Sequence, residues 1–278
     1  MIKNNAAAVL IYCAAISVAG LFLWLLTDLL IQGLPKLSPA FLFEAPRDAG
    51  RAGGIGPIII ATGWIVLVAM STAAPLALAT AVWLVEFTRP DGIFSRFVEF
   101  SIDVLASVPS IVFGLFGNAF FCVYLGLGFS IVSGGLTLAC MTLPILIRTV
   151  ADGLRAVPDG YRMVAAALGM TRGSALVHLL LPSAAPALTA GLLLGIGRAA
   201  AETAALIFTS GYVDRMPGSL FDSGRALSVH IYDLSMNVAG GDANAHATAL
   251  VLIIFLLIIN NAAIGLLRHW RKQHIAAS

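Results

Sequence analysis

Long apolar runs, separated by shorter polar segments, dominate the pattern along this chain. A helix of about 20 apolar residues crosses a hydrocarbon layer about 30 Å thick. Six windows of this kind predict membrane-spanning helices at residues 8–31, 57–85, 102–125, 131–150, 184–210 and 247–267. The pattern therefore predicts an all-α membrane protein with six transmembrane helices.

The third and fourth predicted helices each contain a proline, Pro109 and Pro144, and only a short Gly-Leu-Gly-Phe segment separates them. Proline removes a backbone donor and disturbs the preceding turn, so these two spans are expected to be kinked or broken. The first apolar run is not followed by the small-residue cleavage site of a signal peptide. We expect it to remain in the mature protein.

Composition supports the membrane interpretation. Hydrophobic residues make up 59% of the chain and charged residues 11%, which excludes an ordinary water-soluble domain. The three cysteines, Cys13, Cys122 and Cys140, lie in apolar runs and lack the spacing of metal ligands. We therefore expect neither a disulfide framework nor a metal site nor a cofactor.

Lysine and arginine residues fall unevenly on the two sides of the predicted membrane. The N-terminus, segments 86–101 and 148–183, and the C-terminal tail hold ten of them, against five in the alternate segments. Because basic residues are enriched on the cytoplasmic side, both termini are expected in the cytoplasm. The basic tail Arg-His-Trp-Arg-Lys-Gln-His is expected to lie on membrane lipid and not to bind nucleic acid.

Two charged residues, Arg198 and Glu202, lie four positions apart inside the fifth predicted span. An unpaired charge at the centre of a span costs about 2.5 to 3.5 kcal/mol on insertion scales. On a continuous helix the two side chains would share one face with the small residues Ala187, Gly191 and Gly195. This stripe predicts a contact between two membrane subunits, with the charges either lining a path for an anion or forming a purely structural ion pair.

The loop at 151–183, between the fourth and fifth spans, has the pattern of two short helices around a glycine hinge. Asp159 is placed to cap the first helix, and Gly169 to end it in a left-handed conformation. Thr171 is placed to open the second helix, which Pro182 then stops. Such a folded loop is either a docking surface for a partner or a helical hairpin without one.

The spacing from Gly169 to Pro182 resembles the coupling motif of ABC importer permeases. In that motif a Glu-Ala-Ala segment precedes the glycine, and the motif closes with Ile, any residue, Leu and Pro. The family's glutamate falls at Met163 here, so docking is expected through backbone shape and apolar faces. The resemblance implies that the residues coupling the chain to an ATPase are Ala165, Ala166, Leu168, Gly169, Leu176, Leu179 and Pro182.

Three further segments, 103–117, 197–206 and 226–235, resemble the A-type permease subunits of bacterial phosphate-specific ABC importers. The most discriminating piece is Gly-Arg-Ala followed three residues later by Glu-Thr. The resemblance implies a MetI-like permease fold with a cytoplasmic coupling-helix loop. It divides the chain into an N-terminal helix and external loop, 1–56, and a permease core with five spans, 57–278.

The same resemblance implies a partner set and a path. The chain would pair with a second permease subunit, two ATP-binding subunits and a periplasmic phosphate-binding protein in a bacterial inner membrane. Phosphate would pass Arg198, Glu202 and Thr203. A Walker A motif is absent from the sequence, so the chain is expected to take its energy from a separate ATPase and not to be an enzyme.

Other functions remain open at this level. The permease could serve another oxyanion or polar solute. An ATP-independent channel or secondary transporter would also tolerate the buried charges, although internal inverted repeats are not evident. An intramembrane hydrolase is disfavoured because neither an HExxH nor a GxSxG pattern occurs in the sequence.

The external segment 211–246 carries balanced charges and the stretch Leu-Ser-Val-His-Ile-Tyr-Asp-Leu. It predicts a short amphipathic helix lying at the outer interface, where a binding protein would dock. His230 and His246 are too widely spaced for a familiar zinc pattern, which again predicts no metal.

Overall fold

The computed structural model describes residues 2–89 and 92–275, with side chains described for 8–89 and 92–265. The described part is almost entirely helical. Its α-helices are, in chain order, α1 (Ile2–Gly33), α2 (Pro39–Phe43), α3 (Gly56–Val82), α4 (Ile93–Ser107), α5 (Ser110–Gly117), α6 (Ile131–Arg155), α7 (Asp159–Ala167), α8 (Arg172–Ala175), α9 (Leu181–Ala201), α10 (Ala204–Ile207), α11 (Leu227–Met236) and α12 (Asp242–Ile275).

Shorter elements complete the chain. Two strands, β1 (Pro46–Arg47) and β2 (Ala52–Gly53), pair antiparallel with Pro46 opposite Gly53. Single 3₁₀ turns occupy Leu34–Lys36 and Asp48–Gly50. Wider π-helical segments occupy Trp83–Phe87, Asn118–Tyr124 and Leu176–Leu180.

Five stretches in the described residues are long and apolar enough to cross a membrane, and a bent helix pair makes a sixth. The bend of 99° separates α4 from the helix that continues through α5 to Tyr124. Pro109 explains the break, because the residue before a proline is driven out of the helical region and Val108 is extended (φ −69°, ψ 129°). The predicted broken third span is therefore confirmed. Its start at residue 102 is wrong, since α4 begins at Ile93.

The core of the molecule is the pair α3 and α6. One face of α3 places a small or branched apolar residue at every fourth position, and each is no more than 1% exposed: Ala61, Ile65, Ala69, Ala73, Ala77 and Ala81. A Cβ added at Gly135 of α6 would lie 2.5 Å from Val68. The two backbones therefore approach closely, as small residues allow between membrane helices.

The α8 to α9 segment corrects a prediction about Pro182. The helix does not stop at Pro182. One continuous helical stretch runs from Arg172 to Ala201 and includes α8, the π-helical segment Leu176–Leu180 and α9. A proline ring normally clashes with the carbonyl four residues earlier. The π-helical turn directly before Pro182 widens the helix at that point and allows it to continue.

Helix α1 lies apart from the other spans for most of its length. Its central apolar window has no buried residue. Close packing occurs at its C-terminal end, where a Cβ on Gly33 would lie 2.6 Å from Leu250 of α12. Asp28 also lies 3.8 Å from His246 of α12. Within the described residues, α1 is thus held to the bundle at the end opposite α7.

Candidate functional site

The fifth predicted span breaks at the residues singled out for the path. Helix α9 ends at Ala201, and Glu202 has extended backbone angles (φ −75°, ψ 130°). Thr203 then precedes the short helix α10. The prediction of one helix over 184–210 is therefore wrong. Arg198 lies in the last turn of α9, and Glu202 and Thr203 form the break itself.

Two hydrogen bonds explain why the helix stops at this point. The Glu202 side chain turns forward, and its Oε1 accepts from the backbone N–H of Ala205 at 3.3 Å. The Ser228 hydroxyl of α11 donates to the Glu202 carbonyl oxygen at 2.6 Å. These bonds satisfy backbone groups that the break leaves without helical partners. The Glu202 carboxylate therefore caps the first turn of α10, in which Thr203 occupies the N-cap position.

The structural ion pair between Arg198 and Glu202, one of the two alternatives for these charges, is consequently absent from the described part of the chain. Arg198 is exposed on a face of α9 that it shares with Ala190, Leu194 and Ala201, all exposed. Within the described side chains, its guanidinium has no hydrogen bond or ion pair. Thr203 is half-buried, and its hydroxyl likewise has no hydrogen-bond partner in that part of the chain.

The small-residue stripe of α9 faces its own chain and not a second one. Positions for a Cβ on Gly191 and Gly195 lie 3.3 Å from Thr149 and 3.1 Å from Leu146, both in α6. Ala187 contacts Gly153 of the same helix. The predicted contact between two membrane subunits at this stripe is therefore wrong. Arg198 instead lies on the neighbouring, uncovered face.

Arg198 lies within the depth of the bundle. A Cβ on Gly195, one helical turn before Arg198, would lie 3.3 Å from the sulfur of Met70, which is near the middle of α3. The arginine therefore lies inside the span. Irregular backbone at such a depth is tolerated only when it is buried in protein or lines a water-filled cavity.

The loop between α6 and α9 has the predicted hinge. Gly169 has a φ of +66°, and the backbone N–H of Met170 donates to the Ala165 carbonyl at 3.0 Å. Thr171 caps α8, because its side-chain oxygen accepts from the Ser174 N–H at 3.2 Å. The predicted cap at Asp159 is wrong. Pro158 occupies the N-cap position, since its extended backbone begins the helix.

The predicted coupling residues divide between the surface and the core. Ala166, Leu168 and Gly169 are exposed, whereas Ala165 is buried. The remaining three, Leu176, Leu179 and Pro182, are half-buried. Two further apolar side chains, Met163 and Val164, project outward beside Leu168, with exposed fractions of 67%, 55% and 71% respectively. This exposed apolar set on α7 is called the α7 face below.

Arg162 is a functional candidate that sequence reasoning missed. Its Nη2 donates to Glu86 Oε1 at 2.7 Å, and its Nε to Glu86 Oε2 at 3.4 Å. The Glu86 carboxylate raises the pKa of Arg162 above its ordinary value, chiefly through these hydrogen bonds. The partners are 76 positions apart in the sequence, so no local pattern could have revealed the pair.

A second charged cluster lies between α4 and α6. Arg148 pairs with Asp103, and Arg155 pairs with Glu99 at 2.8 Å. These side chains and Asp152 line an open cavity of about 250 Å³. Arg148, which sequence reasoning placed in a loop, belongs to α6, two turns before its end. All four paired side chains are about half exposed.

Helix α11 packs one face into the bundle, whereas Tyr232, Ser235 and Met236 on its other side are exposed. Leu227, Val229, His230 and Leu234 are fully buried. Burial, followed by the charge of Arg225, lowers the pKa of His230 from 6.5 to about 4. Arg225 lies 3.3 Å from His230 Nδ1 and also pairs with Asp233 at 3.1 Å. The predicted short helix is therefore present with one buried and one exposed side, and its position at the outer interface stays a prediction.

The geometry defines a class of protein: a helical membrane protein with a tightly packed core, a folded loop at one end and a broken span. The family described as binding-protein-dependent transport system inner membrane component matches residues 73–272. The chain belongs to this family and is therefore a permease subunit of an ABC importer. The match begins inside the predicted core, and the division at residue 56 stays a prediction.

Relatives agree with this assignment over nearly the whole chain. A probable ABC transporter permease of Bacillus subtilis is 31% identical over 90% of each chain. A phosphate transport system permease protein PstA of Xylella fastidiosa is 31% identical over 95% of this chain and 92% of its own. The resemblance to phosphate permeases inferred from the three segments is confirmed.

Solved structures confirm the fold. The inward-facing MetNI methionine ABC transporter gives a TM-score of 0.62 at 20% identity, over 77% of this chain and 95% of its own. A bacterial alginate ABC transporter in complex with a periplasmic protein gives 0.69 at 14% identity, over 97% and 98%. At these identities the likeness concerns the fold alone, and it confirms the predicted MetI-like permease fold.

Proposed function

We propose that this permease subunit carries inorganic phosphate across a bacterial inner membrane and that the anion passes Arg198 at the break between α9 and α10. The observation that carries the proposal is an arginine inside a span, on an uncovered face, without an ion-pair partner in the described part of the chain. The phosphate permease relatives support the choice of anion.

An isolated cation inside a span raises the free energy of the folded protein in the membrane. An arginine there is costly unless a water-filled cavity or a negative partner accompanies it. Glu202 is engaged as the cap of α10, so its carboxylate does not neutralise Arg198. A planar guanidinium presents paired donors that match the oxygens of phosphate. A passing phosphate therefore provides the compensating charge transiently.

Thr203 extends the proposed path. Its hydroxyl is half-buried beside the broken backbone and has no hydrogen-bond partner among the described residues. A hydroxyl can donate to an anion oxygen. Arg198, Glu202 and Thr203 then act in sequence as cation, backbone cap and neutral donor.

The partner set follows from surfaces that the chain leaves uncovered. A second permease subunit covers the Arg198 face and encloses the path. Two ATP-binding subunits hydrolyse ATP, and one of them docks on the α7 face in the cytoplasm. A periplasmic phosphate-binding protein delivers the anion at the opposite end. Both chain termini lie in the cytoplasm, as the distribution of basic residues favours.

The test is uptake of labelled phosphate by the complete transporter in proteoliposomes. Arg198→Gln is expected to reduce import about 10- to 100-fold, the loss of one hydrogen bond to a charged group. Arg51→Gln is the matched control, because Arg51 is an exposed arginine in the loop between β1 and β2. Wild-type import by assembled Arg198→Gln would refute the path. Preferential uptake of sulfate or molybdate would refute the substrate assignment.

A further inference from the structure

Arg162 of α7 points back toward the spans, and all three nitrogens of its guanidinium donate hydrogen bonds. In addition to its two bonds with Glu86, its Nη2 donates to the Leu154 carbonyl at 3.0 Å. Its Nη1 donates to the Val157 carbonyl at 3.0 Å and to Asp159 Oδ1 at 3.2 Å. Arginine has five N–H donors in a fixed plane. The surrounding acceptors therefore define both the position and the orientation of this side chain.

The pair with Glu86 is shielded from water more than the other ion pairs on this side of the bundle. The exposed fractions are 28% for Arg162 and 14% for Glu86. The pair of Arg155 and Glu99 has fractions of 51% and 45%. Exposed pairs contribute little because solvent screens them, whereas a shielded two-point contact is stronger and more directional.

Apart from Asp159 of α7 itself, the acceptors of Arg162 lie at the ends of two different spans. Glu86 lies in the π-helical segment that ends the α3 span, Leu154 lies in the last turn of α6, and Val157 lies just after that helix. These are the two helices that form the tightly packed core. The α7 face lies one turn away, at Met163 and Val164. One side chain thus joins the exposed apolar surface of the loop to both core spans.

We propose that Arg162, with Glu86, is a positioning residue that transmits displacement of α7 to the ends of α3 and α6. This inference rests on the proposed function, in which an ATP-binding subunit docks on the α7 face. When that subunit moves, the two-point contact makes α7 and the span ends move together. Without the contact, α7 follows the ATPase while the spans lag behind.

The geometry also predicts which substitutions break the contact between α7 and the span ends. Lysine keeps the charge, but its three donors sit on one nitrogen at the end of a flexible stem and cannot span two carboxylate oxygens and two carbonyls. Arg162→Lys is therefore expected to behave as a loss of the link. Glu86→Gln removes the negative charge, retains the shape, and leaves the bonds from Arg162 to the α6 carbonyls in place.

The experiment uses the complete transporter in proteoliposomes and measures phosphate import and ATP hydrolysis on the same preparation. In both variants, the phosphate imported per ATP hydrolysed is expected to fall about tenfold, the change for losing one charge-assisted hydrogen bond. Hydrolysis and the amount of copurified ATPase are expected to stay near wild type. Glu99→Gln is the matched control, because it breaks a carboxylate–arginine pair of α6 that does not involve α7.

A second measurement separates a loosened link from a misfolded protein. Amide hydrogen exchange in α7 of the full chain is expected to accelerate in Glu86→Gln and Arg162→Lys, while exchange in the core of α3 and α6 stays unchanged. An unchanged ratio of import to hydrolysis in both variants overturns the inference. Loss of the ATPase from either variant also overturns it, since the pair would then support docking and not transmission.

The proposed function and the role of Arg162 can be refuted separately. If the wild-type chain copurifies no ATPase, the proposed function and this inference both fall. If it copurifies an ATPase and imports a different solute, the substrate assignment alone falls. The ratio of import to hydrolysis for that solute then tests the link in the same manner.

Discussion

The buried imidazole of His230 gives a pH-dependent stability that can be worked out from the structure. The side chain is fully buried, and its Nε2 has no hydrogen-bond partner among the described residues. Arg225 and, one ion pair further, Asp233 are the charged groups beside it. The Arg225 guanidinium lies over the Tyr212 ring, and Gly50 packs against the His230 imidazole.

The sign follows from the direction of the pKa shift. Folding lowers the pKa of His230 from 6.5 to about 4, so the folded state disfavours the protonated ring. The associated stability is complete above pH 6.5 and is lost as the pH falls from 6.5 toward 4. At about 1.4 kcal/mol for each pH unit, the loss is about 3 kcal/mol.

The protein is kept in detergent micelles between pH 7 and pH 4, and hydrogen exchange of the α11 amides measures the local unfolding of this helix. His230→Gln is expected to remove most of this pH dependence, because glutamine does not titrate. His178→Gln is the control, since His178 is exposed on the loop side of α9. If wild type and His230→Gln lose stability in parallel over this range, the buried imidazole is not the responsible group.

Two further predictions concern the loop and the broken span. Gly169→Val forces a branched residue into a left-handed conformation with a φ of +66°, so phosphate import should fall while membrane insertion persists. Gly173→Ala is the control and should keep import, because a Cβ at that position meets open space. Normal import and ATPase assembly by Gly169→Val would contradict the role of this hinge. The double exchange Arg198→Glu with Glu202→Arg should stay inactive, because it removes the cap of α10 and displaces the cation. Recovery of import to near wild type, normalised to assembled complex, would favour a structural ion pair instead.

Some features were predictable because their causes are local. Pro109 breaks a span through its effect on the preceding residue, and Gly169 ends a helix because only glycine adopts its conformation freely. Runs of apolar residues likewise locate the spans without reference to any neighbour. These features need only a few adjacent residues, which the sequence presents directly.

Other features depend on contacts between distant segments. The end of α9 at Ala201 rests partly on a hydroxyl from Ser228, and the bonds of Arg162 rest on Glu86 and the end of α6. The alternation around His230 indicated an amphipathic helix correctly, but it could not show that Asp233 pairs with Arg225 or that His230 lies on the buried face. The small residues of α9 indicated close packing correctly, but they could not tell a helix of the same chain from a partner.

The unbroken helical stretch from Arg172 to Ala201 joins the loop that follows α7 to Arg198 near its other end. It contains 30 residues, and at 1.5 Å per residue it is about 45 Å long. A tilt of about 5° at one end moves the other by roughly 4 Å, close to the width of an anion. Because Arg198 lies in the last turn, a modest rotation at the Arg172 end of this stretch moves the charge of Arg198 directly, without any relay through intervening loops.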